Sequence, residues 1–380
     1  MRLLFASDSF KGSLTSEQTA AILAKAAEEV FGKCETSGVP VADGGEGTVD
    51  AVIGAEHGEK IPVTVHGPVM APVEAYYGVF GKNKAVIEMA AASGLLLLEE
   101  SLRNPLNTTT YGTGELILDA LNRGFKDISI AIGGSATNDG GMGCARALGI
   151  RFLDADGTEL EGFGRDLEKV ASIDVSGLDP RIKETKLTVM CDVTNPLCGP
   201  DGATYTFGRQ KGADPAMQDR LEKGMCNYRD IILRTFGVNC DEVQGAGAAG
   251  GLGAALRVFL NGEMKSGIET VLDLIHFDER LEGVDLVVTG EGRTDWQSCF
   301  GKVMQGVGMH AKAKGIPVLG LSGSLGKNAM DICSCGISSL MTSVNAPMDV
   351  SEAMARAEEL YYEAALRMFR FVKTGMDMRA

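Results

Sequence analysis

Six carboxylates, Asp8, Asp43, Asp139, Asp192, Glu291 and Asp295, sit in or beside glycine- and hydroxyl-rich segments that follow or interrupt apolar runs. The segments are SDSFKGS (7–13), ADGGEGT (42–48), GGSATNDGG (133–141), CDVTNP (191–196) and TGEGRTD (289–295). A lone loop aspartate is usually a turn or cap residue. Six of them in such loops is more than turns require, and Mg²⁺ is typically held by one or two carboxylates together with nucleotide phosphates. Lys11 and Arg293 are the cations of the same loops, suited to clamping a carboxylate or a phosphate.

The segment 133–141 is the strongest phosphate cradle. Ile128, Ile130 and Ile132 read as a strand before it, Met142 to Leu148 as a helix after it, and the loop between carries four glycines. Small residues let backbone N–H groups approach a phosphate, and a helix N-terminus adds partial positive charge. Gly133, Gly134, Ser135, Thr137 and Asn138 are therefore expected phosphate contacts, with Gly44 and Gly45 in a second such loop.

Other chemistries fit poorly. No G-x-x-x-x-G-K-[ST] segment, protein-kinase signature or G-x-S-x-G elbow occurs. Gly245 to Gly250 matches G-x-G-x-x-G, but Asn239 to Gln244 before it makes a poor strand, so an NAD-dependent oxidoreductase of hydroxy acids is a weak alternative. The four histidines lie outside the loops, and the nine cysteines form neither a C-x-x-C pair nor a zinc spacing, so reduced thiols and no zinc site are expected. With 51 acidic against 36 basic residues the formal charge is −15, which disfavours nucleic acid and anionic membrane surfaces as partners. No run approaches the ~18 apolar residues of a membrane span, and no signal peptide is evident, so a cytoplasmic location is expected.

The elements that must position these loops alternate at both chain ends. Arg2 to Ala6 reads as a buried strand, followed by a helix that Thr15 and Gln18 open as a capping box. Asp285 to Thr289, Ile316 to Leu321 and Ile337 to Val344 read as unbroken apolar strands, and Ser351 is placed as the cap of a long amphipathic helix. In the middle, Pro62 to Phe80 alternates as antiparallel strands do, Asp156-Gly157 signals a hairpin, and Asp214-Pro215 opens a helix that runs to Gly237. The fold expected is α/β: a Rossmann-like parallel-sheet domain from residues 1–60 and 281–380, with an inserted α+β domain over 61–280 and the active site in the cleft between them.

The chain resembles the type-1 glycerate kinase family, the bacterial glycerate 2-kinases, through DSFKGSLTS (8–16), PVADGGEGT (40–48), NPLNTTTYGTGELI (104–117) and IGGSATNDGGMG (132–143). CDVTNPLCGPDGA (191–203), QKGA (210–213), GAGAAGGLGAAL (245–256) and TGEGRTD (289–295) continue the match in the same order. Arg209 and Val303-Met304 depart from it, standing where prolines are expected. The resemblance implies ATP-dependent phosphorylation of D-glycerate, normally at the 2-hydroxyl to give 2-phosphoglycerate and ADP, with Mg²⁺; a homo-oligomer is compatible with it. The residues leave a 3-phosphoglycerate product open, because the two hydroxyls are one carbon apart. Within this reading Asp192, Asp43 and Lys11 are the expected catalytic residues, and Arg293, Ser13 and Asn195 are expected to bind substrate. Asp43, Asp192, Glu291 and Asp295 are the candidate magnesium ligands.

Overall fold

A computed structural model describes residues 1–378. The chain divides into two compact units. One contains Met1–Asp43, Asp50–Glu56 and Ile268–Ala380, the other Gly44–Val49 and His57–Gly267. The divisions at 56/57 and 267/268 lie earlier than the expected 60/61 and 280/281. The helix Gly267–Leu274 therefore packs almost wholly with the first unit, where Ile268, Val271 and Leu272 are buried.

The first unit is built on a five-stranded parallel sheet in the order Ser339–Thr342, Val318–Ser322, Leu286–Thr289, Arg2–Phe5, Glu35–Gly38. Leu3, Phe5, Leu286 and Val288 enter a core closed by the helices Ser16–Phe31 and Ala357–Asp377, with Phe369 packed against Phe5 and Phe31. Thr15 and Gln18 form the expected capping box, each bonding the other's backbone N–H. Near the C-terminus the single long helix is two, Val350–Ala355 and Ala357–Asp377, and the first is capped by Asp349 rather than Ser351. The aspartate carboxylate accepts from the Glu352 N–H at 2.7 Å.

The second unit holds a six-stranded mixed sheet, in the order Glu263–Lys265, Lys186–Met190, Asp127–Ala131, Lys84–Glu88, Pro72–Phe80, Glu59–His66. Its antiparallel part is confined to Glu59–His66, Pro72–Phe80 and Lys84–Glu88, while the remaining pairings are parallel. The buried runs Ala85–Ile87, Ile128–Ala131 and Leu187–Met190 are those of strands covered on both faces. At Asp156-Gly157 the chain does turn, with the Asp154 N–H on the Thr158 carbonyl at 3.0 Å. The expected hairpin closes with the Leu160 N–H on the Phe152 carbonyl at 2.8 Å and an antiparallel bridge between Leu153 and Glu159, and the strand Arg151–Leu153 also pairs with Ser172–Asp174 on its other edge. The helix Pro215–Phe236 has Asp214 at its N-cap and Gly237 at its C-cap, as expected.

Arg209 and Val303, two of the departures from the family pattern, each occupy the first position of a helical turn. A proline is welcome there because that N–H has no helical partner, and for the same reason it is dispensable. All nine cysteines are free thiols. Among the described residues no helix is long and apolar enough to cross a membrane.

Candidate active site

In the first unit the loops leaving the carboxyl ends of the parallel strands enclose a cavity of about 770 Å³. This is where ligands bind in open α/β sheets. Asp8, Lys11 and Ser13 come from the loop after Arg2–Phe5, and Glu291 and Arg293 from the loop after Leu286–Thr289. Asp43 follows Glu35–Gly38, while Phe10, Met354 and Tyr361 form an apolar wall.

The carboxylates here are pressed together. Asp8 is half-buried, and its Oδ1 accepts from the Ser9 N–H at 2.7 Å. Burial, then the neighbouring Asp43 carboxylate and Glu291, push its pKa up to about 7 against the pull of the Ser9 N–H and Lys11. Glu291 is buried, accepts from Ser298 Oγ at 2.5 Å and Thr294 Oγ1 at 3.1 Å, and is likewise raised, chiefly by burial. Such an arrangement can exchange a proton near neutral pH and can attract a cation.

Five expected site residues, Asp43, Lys11, Ser13, Glu291 and Arg293, thus line one cavity. Ser13 turns its hydroxyl to the Phe10 carbonyl at 2.8 Å, and the Arg293 side chain is 68% exposed. Asp295 caps the short helix Trp296–Cys299, its Oδ1 accepting from the Gln297 N–H at 2.9 Å. Asp8 emerges with the most strongly perturbed carboxyl of the cavity, and its only mark in the sequence is its place in the first strand-end loop.

Asp192, Asn195 and the cradle glycines belong to the second unit. Asp192 follows the strand Lys186–Met190, and its Oδ1 accepts from Ser266 Oγ and the Gly267 N–H, both at 2.9 Å. Asn195 donates to the Asp201 carbonyl at 2.8 Å and so shapes its own loop. Gly44 lies at φ +85°, and a Cβ there would come within 2.8 Å of the Gly267 Cα. Gly133 approaches so closely that its Cβ would stand 3.4 Å from the Gly45 Cα, which brings the two glycine loops side by side.

The cradle itself departs from expectation. Gly133 and Gly134 are exposed, whereas Ser135 is nearly buried and Thr137 and Asn138 are fully so. The Asn138 amide reaches Thr204 Oγ1 at 3.2 Å, while Thr137 Oγ1 and Asn138 Oδ1 are buried with no hydrogen-bond partner among the described residues. Nor is the helix N-terminus open to a phosphate. The buried Asp139 takes the N–H groups of Gly141 and Gly143 at 3.0 and 3.2 Å, and the Thr110 N–H and hydroxyl at 2.7 and 2.8 Å. Burial still holds its pKa above the ordinary carboxylate value. Behind it Lys211, 1% exposed, donates to the Thr137 carbonyl at 2.7 Å. Burial presses its pKa down to about 7, against the attraction of Asp139. This positioning lysine was visible in the sequence only as part of QKGA.

The G-x-G-x-x-G stretch supports the same loop. It follows a short 3₁₀ turn, Cys240–Glu242, and not a strand. Ala249, Gly250 and Gly251 adopt left-handed backbone, and the Gly250 carbonyl accepts from the Gly140 N–H at 2.9 Å. It lacks the preceding strand that a dinucleotide fingerprint requires.

Parallel strands presenting carboxylate- and glycine-rich loops at their carboxyl ends define an α/β protein with its ligand site at those ends. The Glycerate kinase family pattern matches residues 3–373, and the chain belongs to that family. It is 45% identical over 379 residues to the glycerate kinase of Bacillus subtilis strain 168, spanning 100% of this chain and 99% of the relative. It is 44% identical over 377 residues to the glycerate 2-kinase of Escherichia coli K12, spanning 99% of each. The crystal structure assigned to glycerate kinase 2 from Salmonella typhimurium LT2 superposes with a TM-score of 0.90 at 42% identity, over 99% of both chains.

Two predictions follow from the buried carboxyls. The folded Asp8 carboxyl, at about 7 against an ordinary 3.8, binds more protons than the unfolded one between those values. Its contribution to stability must therefore fall as pH rises through that window. Thermal midpoints in EDTA should show wild type losing ground to Asp8→Asn from pH 4 to 7; parallel curves would contradict this. Asp139→Ala leaves the buried N–H groups of Thr110, Gly141 and Gly143 without partners, and should cost at least about 3 kcal/mol in denaturant unfolding. Asp139→Asn, which keeps an acceptor, should cost less.

Proposed function

We propose that the chain transfers the γ-phosphoryl group of Mg-ATP to the 2-hydroxyl of D-glycerate, giving 2-phosphoglycerate and ADP. The carboxylate-lined cavity of the first unit, with Lys11, Arg293 and Lys302 on its walls, is the observation that carries this reading. Family membership and the glycerate 2-kinase name of one relative support it.

In phosphoryl transfer the protein mainly positions the hydroxyl and neutralises charge on the phosphoryl oxygens. As the glycerate oxygen bonds to the γ-phosphorus, the bond to the ADP oxygen breaks and the hydroxyl proton must leave. Asp8, whose carboxyl is raised above its ordinary value chiefly by burial, is suited to receive that proton. Lys11 would face the phosphoryl oxygens and Arg293 would hold the glycerate carboxylate, while Ser13, whose hydroxyl and N–H both donate to the Phe10 carbonyl, would shape the loop beside them. The exposed backbone of Gly133 and Gly134, with Gly45, would carry nucleotide phosphates.

The donor set Asp43 and Glu291 is hard, oxygen-only and crowded with negative charge, which suits Mg²⁺. Bound there, the ion would neutralise phosphate charge. Asp192, the remaining candidate ligand, belongs to the second unit, where its Oδ1 accepts from Ser266 Oγ and the Gly267 N–H. Asp295 has one oxygen in its helix cap and the other beside Arg293 Nε at 3.8 Å, which makes it the weaker of the candidate ligands.

Purified protein should release ADP in a glycerate- and magnesium-dependent manner, and ³¹P NMR of the product should show 2-phosphoglycerate. A 3-phosphoglycerate signal would move the attack to the neighbouring hydroxyl. No glycerate-dependent ADP would end the kinase reading. In the same assay Asp8→Asn and Asp43→Asn should each lower kcat by at least ~10². Near-wild-type kcat in both would shift the chemistry to Asp192.

A further inference from the structure

We propose that Cys198, Glu222 and Cys226 form a binding site for one soft divalent cation of the zinc or cadmium class. The three residues come from two segments of the second unit. Cys198 lies in the loop between the strand Lys186–Met190 and the helix Ala203–Phe207. Glu222 and Cys226 stand one turn apart on the same face of the helix Pro215–Phe236.

Their donor atoms, two thiol sulfurs and a carboxylate oxygen, all lie within 4.8 Å of one another. A tetrahedral zinc ion, with Zn–S near 2.3 Å and Zn–O near 2.0–2.2 Å, separates its ligand atoms by roughly 3.5–4 Å. Small side-chain adjustments close that gap.

The carboxylate is the informative member. Glu222 is 8% exposed, and its Oε1 is fixed by the Gly199 N–H at 2.6 Å with Cys226 Sγ 3.6 Å away. Its Oε2 is buried and has no hydrogen-bond partner. An acceptor left bare in this way is costly, and a cation at the cluster would satisfy it. A disulfide between the two cysteines would leave that oxygen as it is, so the cation accounts for more of the cluster than oxidation does.

The surroundings are built to carry the charge. Asp241 accepts from the Cys198 N–H at 2.9 Å and from Arg229 Nη1 at 2.8 Å, which fixes the loop backbone and brings a permanent cation beside the group. On binding, each thiol gives its proton to solvent and each sulfur shares an electron pair with the metal. Two thiolates, one carboxylate and a divalent ion leave a single negative charge, and Arg229, also paired with Asp230 and Asp241, is the cation nearby. A water would complete the tetrahedron. The bound ion would tie the loop that begins at Asp192 to the long helix.

The test is titration of the reduced, metal-free, full-length protein with Cd²⁺, read by thiolate-to-cadmium charge-transfer absorbance and by the thermal midpoint. Stoichiometric uptake, proton release and a raised midpoint are expected. Cys198→Ser and Cys226→Ser should each abolish the band. Glu222→Gln, which keeps an oxygen for the Gly199 N–H, should weaken binding at least ~10-fold while the protein stays folded. Cys335→Ser, in the separate group of Cys299, Cys333 and Cys335, should leave the titration unchanged. The proposal is overturned if uptake is absent, if the band survives in Cys226→Ser, if Glu222→Gln binds as tightly as wild type, or if Cys335→Ser removes the band.

Discussion

The constraint on which the first unit turns is the crowding of Asp8, Asp43 and Glu291 in one partly buried cavity. Burial, with the neighbouring Asp43 and Glu291 carboxylates, opposes ionisation of Asp8. The rigid parallel sheet makes this sustainable. Asp8 and Glu291 stand on loops that leave buried strands, where the Ser9 N–H and the hydroxyls of Thr294 and Ser298 fix their orientation, and Asp43 follows the exposed edge strand Glu35–Gly38. A cavity that penalises its own negative charge is one that welcomes a proton, a metal ion or a cationic partner, and the proposed phosphoryl transfer uses this property.

The second unit meets a different constraint. Its glycine loop needs a defined shape although few side chains are available to hold it. Asp139 supplies the shape from within by gathering the N–H groups of two separate segments, and Lys211 pins the preceding turn from behind. Burying this acid and this base without a direct salt bridge is expensive, and both pKa values move accordingly. The exposed Gly133-Gly134 pair is the surface that this interior scaffold presents.

Much of this was legible in the sequence because it depends on local rules. The alternation of apolar runs and helices, the Thr15 and Asp214 caps and the antiparallel stretch around Pro62 to Phe80 follow from periodicity and capping chemistry. The loops bearing Asp8, Asp43 and Glu291 could be placed at strand ends for the same reason. Their proximity could not, since it arises from sheet order and links residues hundreds of positions apart. Thr137 and Asn138 read as ligand contacts because a glycine-rich loop gives no sign of which way its polar side chains turn. Asp139 could be found as a loop acid, but not as the group that fills the helix N-terminus. The trio of Cys198, Glu222 and Cys226 escaped notice because two of its members are one helical turn apart and the third arrives from a distant loop. Metal spacings written along the chain cannot show that arrangement.

The central claim is that Asp8 is a carboxyl whose proton affinity is set by burial and by Asp43. Carboxyl-carbon NMR of ¹³C-labelled protein, assigned through Asp8→Asn and recorded without metal or nucleotide, measures it directly. Asp8 should titrate with a midpoint near 7, and that midpoint should fall in Asp43→Asn. A midpoint near the ordinary 3.8, or one indifferent to Asp43, would contradict the account.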